Sequence, residues 1–154
     1  MIGIIGAMEE EVFFLKEHME VKEVVERASM CFYCGNLYGK QVVIVKSGIG
    51  KVNAAVCAQI LIDRFGVSKL INTGIAGSLN SNIDIGDMVI STDALHHDMD
   101  ATIFGDPIGQ VPRMDTLSFP ADEGLVQKAK LANEEANPDI KTFVGRIVSG
   151  DQFI

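Results

Sequence analysis

The sequence predicts an α/β fold, and three observations carry that expectation. Short strand-like runs occur at residues 2–5, 42–45 and 69–73, each too brief for a helix, the first two apolar and rich in β-branched residues. Each run stops at glycine: at Gly6, at Gly48-Ile49-Gly50, and at Gly74-Ile75-Ala76-Gly77. After the first two, apolar residues recur at helical spacing. In open α/β sheets ligands lie at the carboxyl ends of strands, where small residues admit them to backbone amides. The three glycine exits are therefore the expected site.

Composition narrows the class further. The chain has 154 residues, 47% of them apolar, which suits one compact domain over residues 1–154. A net charge of −8 and the lack of any Lys and Arg cluster argue against a nucleic-acid surface. No apolar run reaches the length that spans a bilayer, so no membrane partner is expected. Cys31, Cys34 and Cys57 are odd in number and follow no signal-peptide pattern, which points to a reducing cytoplasm. Cys31-Phe32-Tyr33-Cys34 has the spacing of a redox or metal pair, but no second pair or spaced histidine completes a site. It reads as strand.

The first strand opens onto Glu9, Glu10 and Glu11, and Met8, Val12, Leu15 and Met19 then mark a helix. Acidic residues at a helix N-terminus complement its dipole, but three in a row favour one turning inward. Glu20–Arg27 is charged and ambiguous. Residues 31–37 and 41–46 read as strands joined at Tyr38-Gly39-Lys40, the second apolar on both faces as a central strand would be. Lys51–Phe65 reads as a helix with little polar face, buried against the sheet or a partner subunit. A turn at residues 80–82 leads to a strand at 88–92, and residues 101–120 form a long loop of functional or interfacial character. Asp122 caps a helix carrying Leu125, Ala129 and Ala132 on one face, and Thr142–Ser149 is a last strand.

Several motifs fall short. Gly48-Ile49-Gly50-Lys51 lacks the upstream glycine of a phosphate loop, and Val52 stands where a magnesium-binding hydroxyl belongs. Gly3 and Gly6 lack the three-glycine spacing of a dinucleotide fingerprint. His96, His97, Asp98 and Asp100 cannot all converge on one ion if they follow a strand, because neighbours point to opposite faces. No metal site is expected.

Gly6-Ala7-Met8-Glu9-Glu10-Glu11-Val12, Ser47-Gly48-Ile49-Gly50-Lys51-Val52 and Ser149-Gly150-Asp151-Gln152-Phe153-Ile154, with residues 72–77 and 97–105, carry a resemblance over the whole chain. The sequence resembles the bacterial 5′-methylthioadenosine/S-adenosylhomocysteine nucleosidases, a family of the purine nucleoside phosphorylase superfamily. The resemblance implies a three-layer fold with a central mixed sheet flanked by helices, and a homodimer. It also implies a small nucleoside substrate, and hydrolysis of an adenine N-glycosidic bond in methionine salvage with no cofactor. Such a reaction passes through an oxocarbenium-like state and needs a base to align water, an acid for the purine and a cage for the ring. By the same resemblance Glu11 is the carboxylate that activates water, and Phe153 and Ile154 hold the purine by stacking and by backbone hydrogen bonds. Ala76 and Gly77 line the base pocket, and Met8 and Ile49 touch the ribose or 5′-substituent. Ala101, Phe104 and Pro112 reach across the dimer to the alkylthio tail.

Hydrolysis rather than phosphorolysis also follows from charge. A buried phosphate dianion needs arginine, and Arg27, Arg64, Arg113 and Arg146 lie away from the glycine exits, beside which Lys51 is the one adjacent cation. Two departures from the family stand out. Ile75 occupies a position where many relatives have serine. The family's Met-Glu segment for the ribose and Ser-Asp segment for the leaving adenine would fall beyond Ile154, so the 154 residues alone are expected to have little activity and to expose apolar surface. The other readings of the same chain are a purine nucleoside phosphorylase and a non-catalytic nucleoside-binding or oligomerising piece of the fold.

Overall fold

A computed structural model describes residues 1–152. Their mixed sheets flanked by helices make an α/β fold. The chain forms two compact units, residues 1–76 and the residues from Gly77 onward, and the strands pair within two separate sheets.

The first unit holds β1 (Ile2–Gly6), α1 (Glu9–Glu17), β2 (Glu20–Arg27), β3 (Met30–Leu37), β4 (Lys40–Lys46), α2 (Lys51–Phe65) and β5 (Lys69–Asn72). Its sheet runs in the order β2-β3-β4-β1-β5. The three glycine-terminated strands are neighbours: β1 lies between β4 and β5 and is parallel to both, with Gly6 opposite Lys46 and Ile5 opposite Asn72. Their carboxyl ends therefore share one edge. Backbone bonds from Ser47 N to Gly6 O (2.9 Å) and from Thr73 N to Ile5 O (2.9 Å) carry both ladders one step past the strands.

Strand β4 is buried on both faces and divides the core. Val43 and Val45 pack with Ile5, Phe32, Cys57 and Leu61 beneath α2, whereas Val42 and Ile44 pack with Ile4, Val12 and Met19 beneath α1. Alternation along one strand thus joins a helix, a sheet and a helix into three layers. Burial pushes the Cys57 thiol up to about 11, as expected of an inert core cysteine.

The charged segment Glu20–Arg27 is strand β2, the outermost of the sheet, and almost every residue of it is exposed. Its tight turn to β3 places Ala28 (φ 48°) and Ser29 (φ 61°) in the left-handed region, as Tyr38 and Gly39 are in the turn from β3 to β4. In helix α2 only Cys57 and Leu61 are fully buried within the chain, while Val52, Val56 and Ile62 face outward. Its aliphatic surface packs on the sheet along one stripe. The first helix ends at Glu17, and Met19 reaches the core from the residues just after it.

In the second unit, β6 (Met88–His96) lies between β7 (Phe119–Pro120) and β8 (Thr142–Ser149), antiparallel to the first and parallel to the second. The expected strand at 88–92 thus runs on through His96. Residues 101–120 contain a 3₁₀ turn at Thr102–Phe104 as well as β7. Helix α3 (Glu123–Ala136) is capped as expected, the Asp122 carboxylate accepting from Leu125 N at 2.8 Å. Its most buried residue is polar: the Asn133 side chain donates to Thr142 Oγ1 (2.9 Å) and accepts from Asn137 Nδ2 (2.9 Å). Leu125 is half-buried, whereas Ala129 and Ala132 are exposed.

Between Ser91 and Ala94 the register of β6 on β8 slips by one residue, and Arg146 spans the bulge. Its Nη2 donates to Asp93 Oδ2 at 2.6 Å, with Nε within 3.1 Å of both carboxylate oxygens. These bonds from Arg146, with help from Ser118 and Thr92, hold the Asp93 carboxyl at about 2.

Two predictions follow from packing and charge. Leu61→Ala should lower stability by about 2–5 kcal/mol, the cost of a core truncation, whereas Val52→Ala on the outer face of the same helix should change it by less than about 1 kcal/mol; urea denaturation distinguishes them. For Asp93 the folded carboxyl titrates below its unfolded value of 3.8, so its contribution is complete above that value and is lost as pH falls through about 2. The stability difference between the parent chain and Arg146→Met should therefore be steady near neutrality and vanish in that acid window.

Candidate functional site at the ends of three parallel strands

Glu9, Glu10 and Glu11 occupy the first three positions of α1, and their side chains diverge. Glu9 pairs with Lys16 and lies 3.7 Å from Lys46; the Lys16 bond, aided by both cations, lowers its carboxyl below the ordinary range. Lys16 also sits over the Tyr33 ring, 4.8 Å from its centre. Glu10 is exposed. Glu11 turns back toward the strand ends.

There its Oε2 accepts hydrogen bonds from Ala7 N at 2.6 Å and Met8 N at 2.9 Å, and its Oε1 accepts from Ile75 N at 3.2 Å. A glutamate at the third helical position commonly reaches back to the capping residue's N–H. Capping accounts for the Met8 bond. It does not account for the Ala7 bond, nor for the bond to Ile75, which is 64 residues away. Three backbone N–H groups from the exits of β1 and β5 thus converge on one carboxylate.

Glycine makes the seat possible. A Cβ on Gly6 would lie 3.0 Å from Glu11 Cβ and 2.7 Å from Val12 Cγ1, and one on Gly74 would lie 2.7 Å from Glu11 Oε1. On the far side of β1, the buried Ser47 hydroxyl donates to Gly48 O at 2.9 Å, and Asn53 Nδ2 donates to Ile49 O at 2.7 Å. These bonds hold the third glycine exit.

The carboxylate faces a cavity of about 430 Å³ lined by Met8, Glu10, Glu11, Thr73, Gly74 and Ile75. That volume lies within the usual range for a small-molecule site. A smaller depression of about 270 Å³ between Glu9, Glu10, Phe13 and Phe14 is mostly apolar and has no converging hydrogen-bond donors.

Of the expected site residues, Met8 and Glu11 share this cavity. Ile49 is 74% exposed in the loop after β4, and Ala76 is exposed at the end of the first unit. In the second unit Gly77, Phe104 and Pro112 are exposed, and Ala101 is buried at the start of the 3₁₀ turn. Phe153 and Ile154 lie outside the described residues. Gly74 belongs to the expected glycine exit; not anticipated were Thr73 in the cavity wall and the amides of Ala7 and Ile75 on the carboxylate. The available signal was the glycine of each exit, whose missing side chain leaves the space that Glu11 fills. Among the described residues no cluster of three or more His, Cys, Asp or Glu side chains is arranged to hold a metal ion, and no helix is long and apolar enough to cross a membrane.

An acidic side chain fixed at the shared ends of parallel strands, over a small-molecule-sized cavity, agrees with the family comparison: residues 1–154 match the phosphorylase superfamily, and the chain belongs to it. Within that superfamily it is similar to the 5′-methylthioadenosine/S-adenosylhomocysteine nucleosidase of Staphylococcus haemolyticus, with 46% identity over all of this chain and 66% of that protein. Among solved structures, the nucleosidase of Colwellia psychrerythraea in complex with adenine superposes with a TM-score of 0.94 at 45% identity, covering 99% of this chain and 63% of that one. The nucleosidase of Neisseria meningitidis in complex with methylthio-immucillin-A also superposes with a TM-score of 0.94, at 42% identity over 99% of this chain and 65% of that one. The chain thus spans just under two thirds of the length of these relatives.

Proposed function

We propose that this chain carries the water-activating half of an N-glycosidic hydrolysis that releases adenine from 5′-methylthioadenosine, S-adenosylhomocysteine or 5′-deoxyadenosine. The observation that supports it most is the inward Glu11 carboxylate, held by three amides at the mouth of the strand-end cavity. The bond to Ile75 N is the longest of the three, which leaves Oε1 the better placed oxygen to accept a proton from water. Water so aligned attacks the anomeric carbon as the glycosidic bond breaks; the departing adenine nitrogen keeps the bonding pair and is protonated from solvent, and Glu11 takes up the proton that the water loses. A carboxylate in this position repels phosphate, which favours water as nucleophile over phosphorolysis.

The remaining assignments belong to the same proposal. Met8 and Ile49 meet the ribose or its 5′-substituent, Ala76 and Gly77 the base, Phe153 and Ile154 the purine. Ala101, Phe104 and Pro112 serve the alkylthio tail across a homodimer. The nucleosidase relatives crystallised with adenine and with methylthio-immucillin-A support an adenosine-like ligand.

The test is prolonged incubation of methylthioadenosine with the chain at high protein concentration, since little activity is expected of these residues alone, and measurement of free adenine. Glu11→Gln, which keeps the shape and removes the basic oxygen, should reduce release about a hundredfold to ten-thousandfold. Nucleoside binding without turnover would instead support a binding module, and release that requires added phosphate would support a phosphorylase.

A further inference from the structure

From the steric surroundings of the Gly74 α-carbon we infer that Gly74 is a positioning residue for the Glu11 carboxylate, and that its missing side chain sets where the reactive oxygen sits. The inference rests on the role proposed for Glu11, and it arises from a difference between the two glycines that border the seat. A Cβ on Gly6 would strike Val12 Cγ1 at 2.7 Å as well as Glu11, and Val12, on the inner face of α1, is fully buried. Replacing Gly6 would therefore disturb the core and the site together. A Cβ on Gly74 would meet Glu11 Oε1 at 2.7 Å, Glu11 Cδ at 3.1 Å and Glu11 Oε2 at 3.5 Å; all three nearest atoms are of that carboxylate group. Gly74 is also exposed and does not adopt a left-handed backbone, so alanine is compatible with the chain path there.

The collision thus falls on a side chain that can move. Glu11 would have to withdraw from Ile75 N, and with it the oxygen that faces the cavity changes position. An ångström-scale displacement of a catalytic group costs about a hundredfold in rate.

The experiment compares the full chain with Gly74→Ala, Glu11→Asp and the double variant. In proton–nitrogen correlation spectra, Glu11→Gln should move the amide resonances of Ala7, Met8 and Ile75 away from their positions in the parent chain, because all three donate to that side chain. Gly74→Ala should abolish that response at Ile75 while leaving the resonances of the β4 core residues in place. With methylthioadenosine, kcat for adenine release should fall about a hundredfold with KM little changed. Aspartate is one methylene shorter and withdraws from position 74, so Gly74→Ala should cost far less in the Glu11→Asp background, a non-additive pair. An unchanged Ile75 response, or an equal penalty in both backgrounds, would overturn the inference. Loss of the Ile75 response with adenine release intact would leave the steric relation standing and remove Glu11 from the reaction, so the two failures are distinguishable.

Discussion

Convergence of three backbone N–H groups on one carboxylate is the constraint around which residues 1–76 are arranged. Side chains alone could not produce it, because the donors at Ala7 and Met8 come from the exit of β1 and the donor at Ile75 follows β5. The two exits meet because β1 and β5 are parallel neighbours with matched ends. That register is in turn imposed by a strand between two hydrophobic cores: slipping β4 by one residue would exchange Val43 and Val45 for Val42 and Ile44 across the sheet. Core packing beneath both helices therefore fixes the position of a polar group at the sheet's edge.

Much of this was legible in the residues. Short runs ending at glycine, β-branched in the first two cases, marked β1, β4 and β5, and the triple glutamate marked a carboxylate near the first exit. What the pattern did not convey was adjacency. Nothing in residues 2–6 states that the first strand is central and lies between two strands that come later. Strand β2 escaped notice because it is an exposed edge, where charged side chains discourage pairing with other chains and no burial imposes alternation. Helix α2 was legible only in part: its all-round aliphatic sequence says that it prefers burial, but which face meets the sheet, through Cys57 and Leu61, is set by the fold. The buried Asn133 was equally invisible, since its partners, Thr142 and Asn137, are specified by folding rather than by local spacing.

The seat also bears on how the proposed hydrolysis differs from phosphorolysis. Clustered backbone amides attract small anions of many kinds. Here the chain's own carboxylate fills the cluster, so donors that would otherwise recruit an external anion are spent on orienting an internal one. Glycines at positions 6 and 74 are the steric counterpart of that choice, for they leave room for the intramolecular ligand.

The order of strands carries a consequence for biosynthesis. β2, β3 and β4 join through tight turns and can zip locally, whereas β1 must wait for β4 and then for β5, whose partner residues emerge some forty and some seventy positions later. On the ribosome a nascent chain could thus form the bonds from Ala7 and Met8 to Glu11 early, whereas the bond from Ile75 must wait until that residue has left the exit tunnel. The carboxylate is among the first residues translated, and its third donor arrives some sixty residues later.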